Sequence, residues 1–401
     1  MPIYKYQCVT KLGENISGNI SGNSEIHAMD KLRKMNYNVL KIKRARFEKL
    51  ERFVKNEKPV KVGDLSLFSR QLASMIGAGI PVTRSISTIA SQITNKSFKT
   101  ALENISKNVE SGMNLTDAFG GYPHIFNDLY LSLIESGEIG GMLEEALLRI
   151  SDQMYKDKKI KDAVKSATFY PKIVLTFAGV ILVAMVTFLV PTFQGMTQNN
   201  DDIPLITKII YDFSDSFRAG WYYYILAIIV FVIVIKTIFG SRKGQQVWDR
   251  WKIKIPLMGP INYLTLVARF SRTLSTLLGG GIPVVQALTS SGDTSGNSMV
   301  ARKVRQATVN IEQGNKISDE IGKLELFPNT VVHMINIGEE TGQLPELLDR
   351  IALFYEDEVE TKTKGLSTIL EPLMLIGVGL VVGGMLIALY MPIFTAVSSQ
   401  M

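Results

Sequence analysis

The sequence predicts a mainly α, polytopic membrane protein: two homologous cytoplasmic helical bundles, three transmembrane helices and a small N-terminal α/β unit. Three observations lead there. The stretch Phe68-Ser-Arg-Gln-Leu-Ala-Ser-Met-Ile-Gly-Ala-Gly-Ile-Pro-Val82 returns as Phe270-Ser-Arg-Thr-Leu-Ser-Thr-Leu-Leu-Gly-Gly-Gly-Ile-Pro-Val284, identical at nine of fifteen positions, and a duplicated unit fixes the domain plan. Three long apolar runs interrupt an otherwise polar chain. Basic residues crowd one side of those runs and acidic residues the other.

Residues 1–43 read as the α/β unit. Ile3 to Val9 alternates like a strand, Gly13-Glu14-Asn15 signals a turn, and Asn15 to Asn19 forms the return strand. Ser24 or Asn23 caps a helix carrying Ile26, Met29 and Leu32, and Val39 to Ile42 is strand-like again. This end lacks a basic region followed by an apolar run, so no signal peptide is expected. The single cysteine, Cys8, precludes an internal disulfide and suits a reducing compartment.

Residues 44–61 form a basic linker. Arg44, Arg46, Lys49, Arg52, Lys55, Lys58 and Lys61 stand against Glu48, Glu51 and Glu57, with Phe47, Leu50 and Phe53 as a narrow apolar stripe. A solvated helix and a segment lying against anionic lipid both fit that pattern.

The first helical domain spans 62–166. Asp64 is expected to cap a helix whose Leu65, Phe68, Leu72 and Ile76 share a face. Gly77 and Gly79 end it, and Pro81 starts the next helix, where its missing N–H costs nothing. Farther on, Phe126–Ser136, a turn over Gly137–Gly141, and Met142–Tyr155 form a helical hairpin.

Ile173 to Val190 is uncharged and long enough to span a bilayer at 1.5 Å per residue. Residues 221–239 form the second span, with Trp221-Tyr-Tyr-Tyr224 at one interface and Lys236 near the other. Residues 372–391 form the third, where Gly379 and Gly383 offer a small-residue face for packing against another membrane helix. Lysines precede the first span and basic residues follow the second, whereas 191–220 carries Asp201, Asp202, Asp212 and Asp215. The positive-inside rule therefore puts the N-terminus and both helical domains in the cytoplasm, with the 191–220 loop and the 392–401 tail outside. Much of the net charge of +7 serves this topology, so nucleic-acid binding is not expected.

The duplication extends well past the opening stretch. Gly112 and Asp117 match Gly314 and Asp319, and after a one-residue deletion Gly137-Glu138 matches Gly338-Glu339. Pro171 then matches Pro372, and Val190-Pro191-Thr-Phe193 matches Met391-Pro392-Ile-Phe394. The second bundle is thus expected over 264–366, parallel to the first because two crossings separate them.

Catalytic chemistry finds little support. His27, His124 and His333 are scattered, with no metal-ligand spacing among them. Gly322-Lys323 is followed by Leu324, so no phosphate-binding loop is present, and no Gly-x-Ser-x-Gly elbow exists. The acidic run Glu356–Glu360 reads as a solvated helix face. The expectation is a non-enzymatic protein with no cofactor or metal. The residues singled out are those of the repeated motifs: Arg70, Gln71, Gly79, Pro81, Glu138 and Gly140, with Arg272, Gly281, Pro283, Glu339 and Gly342 in the second copy. Two meanings stay open for them, intradomain caps and Arg–Glu pairs or a docking surface for a partner.

The paired Phe-Ser-Arg and Gly-x-Gly-Ile-Pro-Val motifs, Gly-Glu-x-Gly-Gly-x-Leu, Tyr170-Pro171 before a span and Val190-Pro191-x-Phe193 after it resemble the inner-membrane platform proteins of type IV pilus assembly and type II secretion (PilC/GspF family). The resemblance covers nearly the whole chain. It implies a multi-pass protein of the cytoplasmic membrane, a homo-oligomer in the bilayer, that contacts a hexameric assembly ATPase, with a retraction ATPase as a further candidate. It also implies contact with pilins or pseudopilins and with membrane alignment proteins. Thr273 for Gln71 and Pro345 for Glu144 mark where the second copy departs from the first. A transporter or channel is the competing class, and it lacks the polar residues within spans that such a path requires.

Overall fold

A computed structural model describes residues 3–9, 15–21, 25–26, 29, 38–44, 59–197 and 203–398. Three strands form an antiparallel sheet in the order β2-β1-β3: β1 (Ile3–Val9), β2 (Asn15–Ser21) and β3 (Asn38–Arg44). Alternation along β1 buries Tyr4, Tyr6 and Cys8 on one face. Burial pushes the Cys8 thiol up to about 11. Glu25, Ile26 and Met29 are helical, and the rest of the helix expected there lies outside the described residues, as do residues 45–58 of the basic linker.

The chain divides into two compact units, residues 1–159 with 265–356, and 160–264 with 357–401. The first holds the sheet and both bundles. Its first bundle comprises α1 (Val62–Gly77), α2 (Val82–Gln92), α3 (Lys96–Glu110), α4 (Leu115–Gly120), α5 (Asp128–Gly140) and the start of α6 (Leu143–Ala167). Phe68, Phe98, Phe119, Phe126 and Tyr130 form its core, with ring centroids 4.5 Å apart for Phe119–Phe126 and 4.8 Å for Phe126–Tyr130. Tyr6 of the sheet donates to Asn108 of α3 at 3.3 Å.

After the membrane segments, the second bundle repeats the order with α11 (Met258–Gly279), α12 (Val284–Thr294), α13 (Ser298–Glu312), α14 (Ile317–Lys323), α15 (Asn329–Thr341) and the start of α16 (Leu344–Ser398). Its core is more aliphatic. Phe270 and Phe327 pack with tilted rings, centroids 4.4 Å apart, while Val300, Ile321 and Val331 stand where the first copy has Phe98, Phe119 and Tyr130.

The second unit carries the membrane segments. Three helical stretches are long and apolar enough to cross a bilayer: Leu143–Met196, Leu205–Gly240 and Leu344–Pro392. The first includes α7 (Phe169–Ala184), a π-helical turn at Met185–Leu189 and α8 (Val190–Thr197). The turn's Val186 carbonyl accepts a hydrogen bond from Ser214 at 2.6 Å. The second is α9 (Leu205–Gly240), kinked at Gly220, and α10 (Arg242–Trp251) follows it. Val190, Tyr211 and Leu389 pack together, and Thr207 donates to the Ala388 carbonyl at 2.5 Å. A second cluster joins Ile160, Ile261, Val359 and Leu366. Most apolar side chains of the spans are exposed, as lipid-facing residues are.

Four expectations change. Lys61 is the N-cap of α1 and Asp64 sits inside its first turn, where the helix dipole favours a carboxylate. Of Gly77 and Gly79, only Gly79 is left-handed (φ +79°); Gly77 is the last residue of α1. The turn expected at 137–141 is a helix as far as Gly140. The segment 191–220 is helical over Val190–Thr197 and from Leu205 onward, rather than a loop.

Candidate functional site

The duplicated polar residues build two equivalent constructions within the first unit. Glu138, in the last turn of α5, reaches the start of α4: its carboxylate accepts from Leu115 N at 2.6 Å, Thr116 N at 3.0 Å and the Thr116 hydroxyl at 2.6 Å. Glu339 repeats this on α14, accepting from Ile317 N at 2.9 Å and from Ser318 N and Oγ at 3.2 Å each. The N-cap residues Asn114 and Lys316 make no side-chain cap, so the carboxylate arrives from a neighbouring helix. Charge-assisted bonds to free N–H groups at a helix N-terminus are among the strongest such contacts. Each carboxylate caps the helix that precedes its own in the chain.

The two arginines differ. Arg70 is exposed and donates from Nε to Ser151 of α6 at 3.2 Å. Arg272 is buried, holding Glu356 through Nε (2.8 Å) and Nη2 (3.0 Å) and Asp349 through Nη1. Burial alone would lower its pKa, but the bond to Glu356 and the charges of Glu356, Asp349 and Asp152 leave it raised. Neither arginine pairs with Glu138 or Glu339. Sequence reasoning missed Asp349 and took Glu356 for part of a solvated face. Their seven-residue spacing, which puts both on one helix face opposite Arg272, was the available signal. In the first copy those positions hold Leu148 and Tyr155, both exposed.

The glycines and prolines shape the backbone. Gly79 and Gly281 are left-handed (φ +79° and +75°), and Pro81 and Pro283 are the N-caps of α2 and α12. Gly141 (φ +67°) is the counterpart of Gly342 (φ +73°), whereas Gly140 is helical. Gln71 is half-buried, and its counterpart Thr273 is buried beside the Thr294 hydroxyl at 3.3 Å. Glu320 was also missed: Asn310 donates to it at 2.7 Å and Lys323 at 2.6 Å, which holds its carboxyl below the usual range. Nothing described lies within 4 Å of where a Cβ would sit on Gly379 or Gly383. Among the described residues no cluster of His, Cys, Asp and Glu fits a metal ion. The arrangement braces helices and presents surfaces.

The model of a family described as type II secretion system (T2SS), protein F, matches twice, over residues 68–191 and 270–392. The model of that protein's N-terminal domain matches residues 1–43. The type IV pilus assembly protein PilC of Myxococcus xanthus is 32% identical over 399 residues, covering 98% of this chain and 94% of the relative. PilC of Thermus thermophilus is 33% identical over 403 residues, covering 100% and 99%. The type II secretion system protein F of Aeromonas hydrophila is 26% identical over 347 residues, covering 85% and 88%. With both halves of its duplication and its N-terminal unit matched, the chain belongs to the type II secretion system protein F family.

Proposed function

We propose that the chain is the inner-membrane platform of type IV pilus assembly, coupling a cytoplasmic assembly ATPase to the extraction and polymerisation of pilins. The observation that carries this reading is α16, a single helix of 55 residues that bears both Asp349 and Glu356, clamped by Arg272, and a membrane-crossing apolar segment. Its backbone runs without a break from the clamp at Asp349 and Glu356 into the apolar segment, so a push on the bundle has a covalent path to the bilayer. Drawing a pilin's apolar helix of about 20 residues out of lipid costs on the order of tens of kcal/mol. The sequence offers no nucleotide-binding loop, so that work is supplied by the ATPase and transmitted here.

The pilus reading is favoured over secretion because the PilC proteins of Myxococcus xanthus and Thermus thermophilus are 32% and 33% identical over nearly the whole chain, against 26% over 85% of it for the Aeromonas hydrophila protein F. In the proposed topology the N-terminus and both bundles are cytoplasmic, and 191–220 and the C-terminus lie outside. A reporter inserted at the exposed Asn315 should read as cytoplasmic and one near Asp202 as external. The reverse pattern would overturn the topology and the ATPase contact with it.

A further inference from the structure

Within the first unit the two repeats meet along α6 and α11. Arg149, Gln153 and Asp157 recur every four residues on α6 and face Gly279, Thr276 and Arg269 of α11. Asp157 lies 3.5 Å from Arg269 Nε, and the Thr276 hydroxyl donates to Gln153 Oε1 at 3.3 Å. The Arg149 guanidinium lies over Gly279, 2.7 Å from where a Cβ would sit. Ser136 of α5 donates to the Gly280 carbonyl at 2.7 Å. The contact is heterologous: one patch on the first repeat meets a different patch on the second.

Duplication gave each repeat both patches, so each has one left unused. The unused copy of the first patch is Ile337, Arg350, Phe354 and Glu358, the counterparts of Ser136, Arg149, Gln153 and Asp157. The unused copy of the second is Leu67, Ser74, Gly77 and Ala78, the counterparts of Arg269, Thr276, Gly279 and Gly280. Gln153 is only 4% exposed, whereas Phe354 and Leu67 are each 58% exposed and Ile337 is 43% exposed. Ser74, Gly77, Ala78 and Arg350 are exposed as well.

We propose that a second copy of this chain covers these surfaces, seating Ile337, Arg350 and Phe354 of one copy on Leu67, Ser74, Gly77 and Ala78 of the next. The contact between copies repeats the one inside the chain. Its chemistry is shifted on both sides: Phe354 replaces Gln153, Ile337 replaces Ser136, Leu67 replaces Arg269 and Ala78 replaces Gly280, while Glu358 keeps the carboxylate of Asp157. Two tethered repeats hold together through polar pairs, whereas separate chains lose translational and rotational freedom and need apolar burial to offset it. Charge agrees as well. Arg350 would arrive over Gly77, where the Glu144 carboxylate lies, and the second repeat has the uncharged Pro345 at that position. A heterologous contact of this kind adds copy to copy, and closes into a ring where the rotation between copies permits.

The test uses full-length chains in membranes. Two differently tagged copies, one Ser74→Cys and the other Phe354→Cys, are co-expressed and oxidised, with Gln153→Cys and Thr276→Cys in one chain as the internal control. The expected result is a covalent dimer carrying both tags, formed only by the mixed pair. Arg350→Glu should reduce its yield, and Glu144→Arg should restore it. No mixed dimer while the control closes its bridge, equal dimer from Ser74→Cys with itself, or a yield indifferent to the charge swap would overturn the proposal.

Discussion

At the scale of single residues, the cross-helix caps explain why Glu138 and Glu339 occur in both repeats without catalytic chemistry. Each satisfies two backbone N–H groups and a hydroxyl that the local N-cap leaves open. Glu138→Ala or Glu339→Ala should each lower stability by about 1–3 kcal/mol, measured as denaturant unfolding of the full chain in detergent. Glu320 gives a test by pH. Its folded-state pKa is below the ordinary 4.5, held there by Asn310 and Lys323, so its stabilisation is complete above 4.5 and lost as pH falls through the lower folded value. Glu320→Gln should therefore be less stable than the parent at neutral pH and lose less stability on acidification below 4.5, as thermal unfolding across that range would record. The positions of these glutamates were legible because the duplication kept two of them. What they touch was not, because a carboxylate reaching a helix 22 residues back leaves no local pattern.

At the scale of elements, the membrane helices were the most legible, since a bilayer demands a fixed apolar length whatever the fold. The hairpin over 126–155 was read less well. Gly137 looked like a helix stop, but it lies within α5 because α6 passes close to it: a Cβ there would stand 2.6 Å from that of Ala146. Close packing and turn formation both select glycine, and the sequence alone does not separate them. The polar start of α9 was read as a loop because Asp212, Asp215 and Arg218 break its apolar run, yet Tyr211 and Ser214 are buried on its inner face. The clamp between α11 and α16 differs between the repeats and can be measured. Arg272→Ala leaves the largely buried Glu356 carboxylate without its partner and should cost about 3–5 kcal/mol, whereas Arg70→Ala on the exposed counterpart should stay within about 0.5 kcal/mol, by the same unfolding assay.

At the scale of the whole molecule, the repeat seen in the sequence is the repeat matched by the family model, starting at 68 and again at 270. It determines the helix order of both bundles and the place of the spans. The cores differ, aromatic in the first repeat and more aliphatic in the second, and Arg70 lies open where Arg272 is clamped, so the two bundles offer different surfaces. In the proposed function the bundles receive the ATPase and the spans pass its work to pilins. A photo-crosslinking amino acid scanned over exposed bundle positions such as Lys107 and Gln306, and over the start of α9 at positions such as Lys208, tests it in living cells. Adducts with the assembly ATPase are expected from the bundles and none from α9. Adducts from α9, or none from either bundle, would contradict it.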